Sequence, residues 1–184
     1  MSQAPGPTIE TERLILRPTA LADFDAWAAY MALDETRFVG GPQPRSMAWR
    51  GLMTMAGCWT LDGFAMFSVI EKSSGRWIGR VGPWRPHGWP GTEVGWGIIP
   101  DSFGKGYATE AAAASMDFAF DVLGWTDIIH CIDPENTPSE RVAARLGSTN
   151  LRPGRMPPPF EEHVINLWGQ SAEQWRENRK SLRR

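Results

Sequence analysis

The sequence predicts an α/β domain, and three features carry that reading. Strand-like apolar runs alternate with stretches of helical spacing along the chain. The segment from Gly63 to Ile70 puts Phe64, Met66, Ser68 and Ile70 on one face and Ala65, Phe67 and Val69 on the other. Both faces are mostly apolar, as in a central strand. The stretch Asp101–Ala111 joins an apolar strand, Val94–Ile99, to a helix through a short loop with two glycines.

Taken in order, residues 1–10 read as a tail, 11–176 as one domain and 177–184 as a second tail. Thr11–Pro18 predicts a short strand ended by its proline. Leu21–Leu33 has helical spacing, with Phe24, Trp27, Ala28 and Met31 on one face. Residues 34–44 form a loop, and Ser46 is placed to cap a second helix running to about Cys58, with Met47, Leu52, Met55 and Trp59 as its apolar positions. Arg76–Gly82 returns as the hairpin partner of the central strand, and Pro83–Gly91 is irregular. Gly95 and Gly97 inside the next strand suggest a bulge or a close backbone approach.

The following helix, about Lys105–Leu123, puts Tyr107, Ala111, Ala114, Phe118 and Val122 on one face and stops at Gly124. Asp127–Ile132 is a strand, and Pro134 opens a helix that closes at Leu146-Gly147. The four prolines between 150 and 160 shorten or interrupt any strand there. His163–Trp168 is a final strand, and Ser171 caps a last helix through Trp175.

A chain of 184 residues is long enough for one domain with a sizeable core. Apolar residues are 42% and charged residues 22%, ordinary for a soluble globular protein. The net charge is −2, with no basic stripe, which argues against nucleic acid as the partner. Cys58 and Cys131 lack metal-ligand spacing and read as free thiols in a reducing cytoplasm; no metal is expected. The start, Met1-Ser-Gln-Ala-Pro, has no signal-peptide pattern, and no apolar run approaches the roughly 18 residues of a membrane span. A cytoplasmic protein is therefore expected. Ten tryptophans against two tyrosines supply either packing or an aromatic wall around a cleft, and Trp84 and Trp89, among prolines and glycines, are the candidates for the wall.

The loop Asp101–Ala111 is the chemical centre. A helix start leaves backbone N–H groups without partners and carries partial positive charge. Gly104 and Gly106 lack a Cβ, so a ligand can reach the backbone. Together they suit a phosphate or pyrophosphate. The loop is not a Walker loop, since Lys105 is followed by Gly106, and not a dinucleotide fingerprint, since Thr109 stands where a third glycine is needed.

Phe103-Gly-Lys-Gly-Tyr-Ala108, followed by Thr109-Glu-Ala, resembles the acetyl-coenzyme A loop of the GNAT superfamily of N-acetyltransferases. Phe103 departs from the Arg or Gln common at its first place. Thr11-Glu-Arg-Leu-Ile-Leu-Arg17 resembles the opening of the RimJ/RimL-like branch, and Asn136-x-x-Ser139 with Leu146-Gly147 resembles a further family pattern. Ser148 replaces the usual Phe. The resemblance implies a mixed, mostly antiparallel, splayed sheet of about six to seven strands with helices on both faces. It implies an acetyl-CoA-dependent N-acetyltransferase, with acetyl-CoA held by Ile98, Ile99, Phe103, Gly104, Lys105, Gly106, Tyr107, Ala108, Thr109, Asn136 and Ser139. The acceptor is an amine: a protein N-terminus, an amino acid or a small amine. A homodimer is left open, with neither nucleic acid nor membrane as partner.

Backbone N–H groups near Ile98 and Ile99 are the expected oxyanion donors by that resemblance. A tyrosine acid on the helix after Asn136 is absent, since Tyr30 and Tyr107 are the only tyrosines. Ser139 stands in its place, either as hydrogen-bond partner of the sulfur or as a helix cap. Asn136 either bonds the pantetheine arm or shapes its own turn. Glu93 is either the first candidate base or an exposed strand-end charge, Asp133 is the second candidate, and His87 reads as either a base or a substrate contact. Trp84, His87 and Trp89 are the candidate acceptor contacts. Glu110 reads as structural, His130 as packed, and Lys105 either touches phosphate or faces water. The alternative is a non-catalytic acyl-CoA sensor on the same fold.

Overall fold

A computed structural model describes residues 6–182. The strands are β1 (Ile9–Glu10), β2 (Leu14–Arg17), β3 (Phe67–Glu71), β4 (Trp77–Trp84), β5 (Glu93–Ile98), β6 (Asp127–Ile132), β7 (Thr149–Arg155) and β8 (Val164–Ser171). The helices are α1 (Phe24–Met31), α2 (Arg45–Leu61), α3 (Tyr107–Asp121), α4 (Thr137–Arg145) and α5 (Ala172–Leu182). The strands hydrogen-bond in the order β1-β2-β3-β4-β5-β6-β8-β7, an open sheet flanked by helices. β1 through β4 are antiparallel neighbours, as are β6, β8 and β7. β5 and β6 are parallel, so the chain between them needs a crossover, and α3 is that crossover. The fold is α/β and mostly antiparallel, with eight strands among the described residues rather than six or seven.

The chain groups into two compact units. One runs up to Gly82 and adds Trp96–Ala114; the other is Pro83–Gly95 with the chain from Ser115 onward. In the first, Trp27, Tyr30 and Met31 of α1 and Leu52, Met55 and Trp59 of α2 are buried. The Trp77 ring lies 6.1 Å from that of Trp27 and 5.8 Å from that of Tyr30, and Trp59 lies 4.9 Å from Phe67. These aromatic pairs supply large apolar area at favourable tilted geometry. Asp23, almost fully buried, accepts from Arg17 at 2.6 Å, from Ser68 Oγ at 2.7 Å and from the Ala20 N–H at 2.9 Å. Deleting Arg17 would leave this buried carboxylate without its counter-charge, held only by Ser68 and the Ala20 N–H. In the second unit, Ile129, Ile165 and Leu167 form a core cluster that Cys131 and Met156 extend.

Several boundaries differ from the sequence reading. Ser46 is not the cap of α2; the helix starts at Arg45 and Pro44 precedes it, without a side-chain cap. Met47 faces out, and Ala48 takes the buried place. Gly63–Met66 lies outside β3, although Phe64, Ala65 and Met66 are buried. β4 continues through Pro83 to Trp84, so Trp84 ends a strand instead of opening the loop. Val122, assigned to the buried face of α3, is exposed. Regular structure also enters the segments read as tails, through β1 at Ile9–Glu10 and α5 to Leu182; residues 1–5 and 183–184 lie outside the described residues. Among the described residues, no helix is long and apolar enough to cross a membrane. Cys58 and Cys131 are free thiols.

Candidate functional site

The loop between β5 and α3 holds Gly104 at φ +74° and Gly106 at φ +80°, the left-handed region that L side chains avoid. A Cβ at Gly104 would meet nothing within 4 Å, so backbone conformation, rather than crowding, requires the glycine. The first α3 bond is Glu110 N–H to Gly106 O at 3.0 Å. The N–H groups of Tyr107, Ala108 and Thr109 precede it and have no intrahelical acceptor. These donors and the helix dipole fit a diphosphate, so the residues present suit the acetyl-CoA that the loop pattern implies. Phe103 and Lys105 are exposed beside them. Tyr107 offers its backbone only: its hydroxyl donates to Glu71 Oε1 at 2.6 Å, and the Arg13 guanidinium lies 4.6 Å from its ring centre. That bond holds the Tyr107 phenol above its ordinary value.

Sequence reasoning missed Arg13. Its side chain donates to Lys105 O at 2.8 Å and to Glu110 Oε2 at 2.7 Å, while Thr11 Oγ1 donates to Glu110 Oε1 at 2.6 Å. Burial pushes the Glu110 carboxyl up, but these bonds outweigh it and leave it below its usual range. The Thr-Glu-Arg opening thus braces the loop from 92 residues away in sequence. That recurring opening was the available signal; its target was not.

Ile99 corrects one expectation. Its N–H donates to Ile78 O at 2.9 Å and so is already taken and cannot serve as an oxyanion donor. Consecutive strand N–H groups point to opposite edges, so Ile98 keeps its N–H directed the other way. Tyr30 was also passed over. A Cβ on Gly97 would fall 2.6 Å from its hydroxyl, so the glycine is what admits the phenol against β5. Burial raises the Tyr30 pKa, and the Arg80 charge opposes the shift. Tyr30 and Trp77 also line a cavity of about 560 Å³ with Leu33, Glu35, Ile99 and Asp101.

In the second unit, Glu93 is buried at 6% exposure. Its Oε2 accepts from Trp89 Nε1 at 2.5 Å and its Oε1 from the Cys131 N–H at 3.0 Å. Trp84 stands edge-on to Trp89, ring centres 6.5 Å apart, and His87 is exposed in the same loop. Burial and the neighbouring Glu93 charge push the Cys131 thiol far up, so it is no nucleophile. His130 is packed, with its pKa pushed down to about 4 by burial. At the start of α4, Asn136 Oδ1 accepts from the Ser139 N–H at 3.3 Å. Asn136 is therefore the cap, and the cap reading of Ser139 is corrected: Ser139 is the third residue of the helix. Asp133 Oδ1 accepts from the Glu135 N–H at 2.8 Å and shapes its own turn, which weakens it as second candidate base.

Residues 13–149 match the family model described as an acetyltransferase (GNAT) domain. The uncharacterized N-acetyltransferase p20 of Bacillus licheniformis is 33% identical over 143 residues, 76% of this chain and 80% of that protein. The uncharacterized N-acetyltransferase YnaD of Bacillus subtilis is 35% identical over 86 residues, 47% of this chain and 51% of that one. An acetyltransferase of Agrobacterium tumefaciens superposes with TM-score 0.78 at 32% identity, covering 89% of this chain and 94% of its own. The fold is also that of Mycobacterium smegmatis RimJ, solved with CoA-disulfide, at TM-score 0.73, 20% identity and 95% and 91% coverage.

Proposed function

The chain belongs to the GNAT acetyltransferase family, and we propose that it moves an acetyl group from acetyl-CoA to a primary amine by direct attack in a ternary complex. The acceptor class is a protein N-terminus, an amino acid or a small amine. The open start of α3 carries this reading: three N–H groups and two left-handed glycines stand where a diphosphate is to be held. Phe103, Lys105, Ala108, Thr109 and Asn136 complete the cofactor contacts. Acetyl-CoA, when bound, supplies the activated thioester.

Most of the rate comes from holding amine and thioester together. Ile98 N–H stabilises the developing oxyanion, the part Ile99 N–H cannot take because Ile78 O holds it. Glu93, held by Trp89 and the Cys131 N–H, accepts the ammonium proton. Trp84, His87 and Trp89 flank the amine. Ser139 lends a hydrogen bond to the departing sulfur; the alternative donor is Tyr30, seated against Gly97.

Acetyl-CoA at a hundredfold excess over its Kd should stabilise the protein by about 2.7 kcal/mol. Thiol release is then followed against peptides, amino acids and small amines. Glu93→Gln should lower turnover about a hundredfold with acetyl-CoA binding intact. Unchanged turnover removes Glu93 as base. Ser139→Ala and Tyr30→Phe, made separately, show which hydroxyl serves the sulfur. Stabilisation without thiol release from any amine supports the acyl-CoA sensor instead.

A further inference from the structure

Glu93↔Ile129 is the one register pair of the parallel ladder between β5 and β6 among the described residues. Ile129 N–H donates to Thr92 O at 2.8 Å. In a parallel ladder the next bond from β6 would run from the Cys131 N–H to Val94 O. Here side chains take both ends. The Cys131 N–H goes to Glu93 Oε1 at 3.0 Å, and Val94 O is met by His130 Nδ1 at 2.6 Å. Two consecutive residues of β6 thus grip two consecutive residues of β5, crosswise.

A carbonyl only accepts, so His130 Nδ1 carries the proton and Nε2 accepts from Ser148 Oγ at 3.0 Å. Ser148 in turn accepts from Gln170 Nε2 at 2.8 Å, and Gln170 Oε1 accepts from Asn178 Nδ2 at 2.9 Å. His130, Ser148 and Gln170 are each at most 4% exposed. Ser148 is the position where the sequence departs from the usual Phe, and a Phe has no hydroxyl to hold the imidazole.

We propose that His130 is a positioning residue: with Ser148 and Gln170 behind it, it replaces the ladder bond at Val94 and so fixes where the Glu93 carboxylate stands. The catalytic part rests on Glu93 as base; the clamp itself does not. Without His130, Val94 O loses its partner, the strand start shifts, and Glu93 leaves the Cys131 N–H.

The test uses the full chain with His130→Val, His130→Gln, Ser148→Ala, Glu93→Gln and the double variant of His130→Val with Glu93→Gln. Amide hydrogen exchange is read at Cys131 and at Ile128, which is in register with Gln170 in the β6–β8 ladder. His130→Val should speed exchange at Cys131 at least tenfold more than at Ile128, and Ser148→Ala should do so less strongly. Turnover with acetyl-CoA and the best amine of the panel should fall about tenfold in His130→Val with KM for acetyl-CoA unchanged. It should recover in His130→Gln, whose amide both donates and accepts, and His130→Val should cost nothing further on Glu93→Gln. Equal acceleration at Cys131 and Ile128, or the same tenfold loss on Glu93→Gln, makes His130 ordinary packing and overturns the proposal. If Glu93→Gln leaves turnover unchanged, the base assignment fails and the exchange ratio alone decides the clamp. If His130→Val does not fold, Ser148→Ala and His130→Gln carry the same comparison.

Discussion

Two helix starts follow two strands of the sheet, and they are finished differently. The start of α4 is closed by its own chain: Asn136 Oδ1 accepts the Ser139 N–H, and Asp133 Oδ1 accepts the Glu135 N–H. At the start of α3, no such side-chain cap is found among the described residues. Its loop turns through Gly104 and Gly106 in the left-handed region, and the effort around it goes to bracing, with Arg13 and Thr11 holding Lys105 O and Glu110 from outside. A helix start that satisfies itself is structural first. One that is braced but left open keeps its donors for something else.

The sharpest way to break this comparison is to close the open start. Gly106→Val forces a β-branched residue to φ +80° and should weaken acetyl-CoA about a hundredfold, about 2.7 kcal/mol, by titration calorimetry. An unchanged Kd would mean that the loop conformation is irrelevant to binding.

Acid separates the two regions next. His130 has a folded pKa near 4, below its ordinary 6.5, so the unfolded chain takes up this proton first. The stability it contributes is complete above pH 6.5 and is lost as pH falls toward 4, about 2 kcal/mol between pH 7 and pH 5. Denaturant melts at the two pH values should show this loss in the wild type and not in His130→Gln. Glu110, lowered from its ordinary 4.5, titrates only below that value, so the brace of α3 survives the acid that weakens the β6 network.

Removing the cap of α4 is a smaller change. Asn136→Ala should cost about 1 kcal/mol of stability and Asn136→Asp almost none, because the acid still caps. If acetyl-CoA affinity drops in both, the Asn136 amide also serves the pantetheine arm; if in neither, the cap is its whole role. The smallest effect is at the brace. Arg13 is 43% exposed, so Arg13→Ala should cost below about 1 kcal/mol in stability. That difference is present above pH 4.5 and disappears as pH falls through the lowered Glu110 pKa.

What the sequence shows of this arrangement is what is local. The strand, glycine loop and alanine-rich helix from 93 to 121 are legible because period, glycine and helix propensity agree over a continuous stretch. α4 is legible in the same way at its close, Leu146-Gly147, but it opens at Thr137 behind the Asn136 cap rather than at Pro134. Alternation misleads at Gly63–Met66, because it reports burial on two faces and not the pairing that makes a strand. Pro83 misleads in the opposite sense, since a proline at a strand's end is tolerated. The rest is non-local. Arg13 meets Glu110, Tyr30 meets Gly97 and His130 meets Val94 only once the sheet is assembled. Hence the glycine loop before α3 could be read in advance, whereas its brace, the engaged Ile99 N–H and the grip on Glu93 could not.

The most direct measurement is an amide proton–nitrogen spectrum titrated with coenzyme A. The amides of Gly104, Gly106, Tyr107, Ala108 and Thr109 should shift the most, saturating with the Kd found by calorimetry, and Gly106→Val should abolish the response. Large shifts at Thr137–Ser139 with the α3 start silent would contradict the assignment of the open helix start as the diphosphate site.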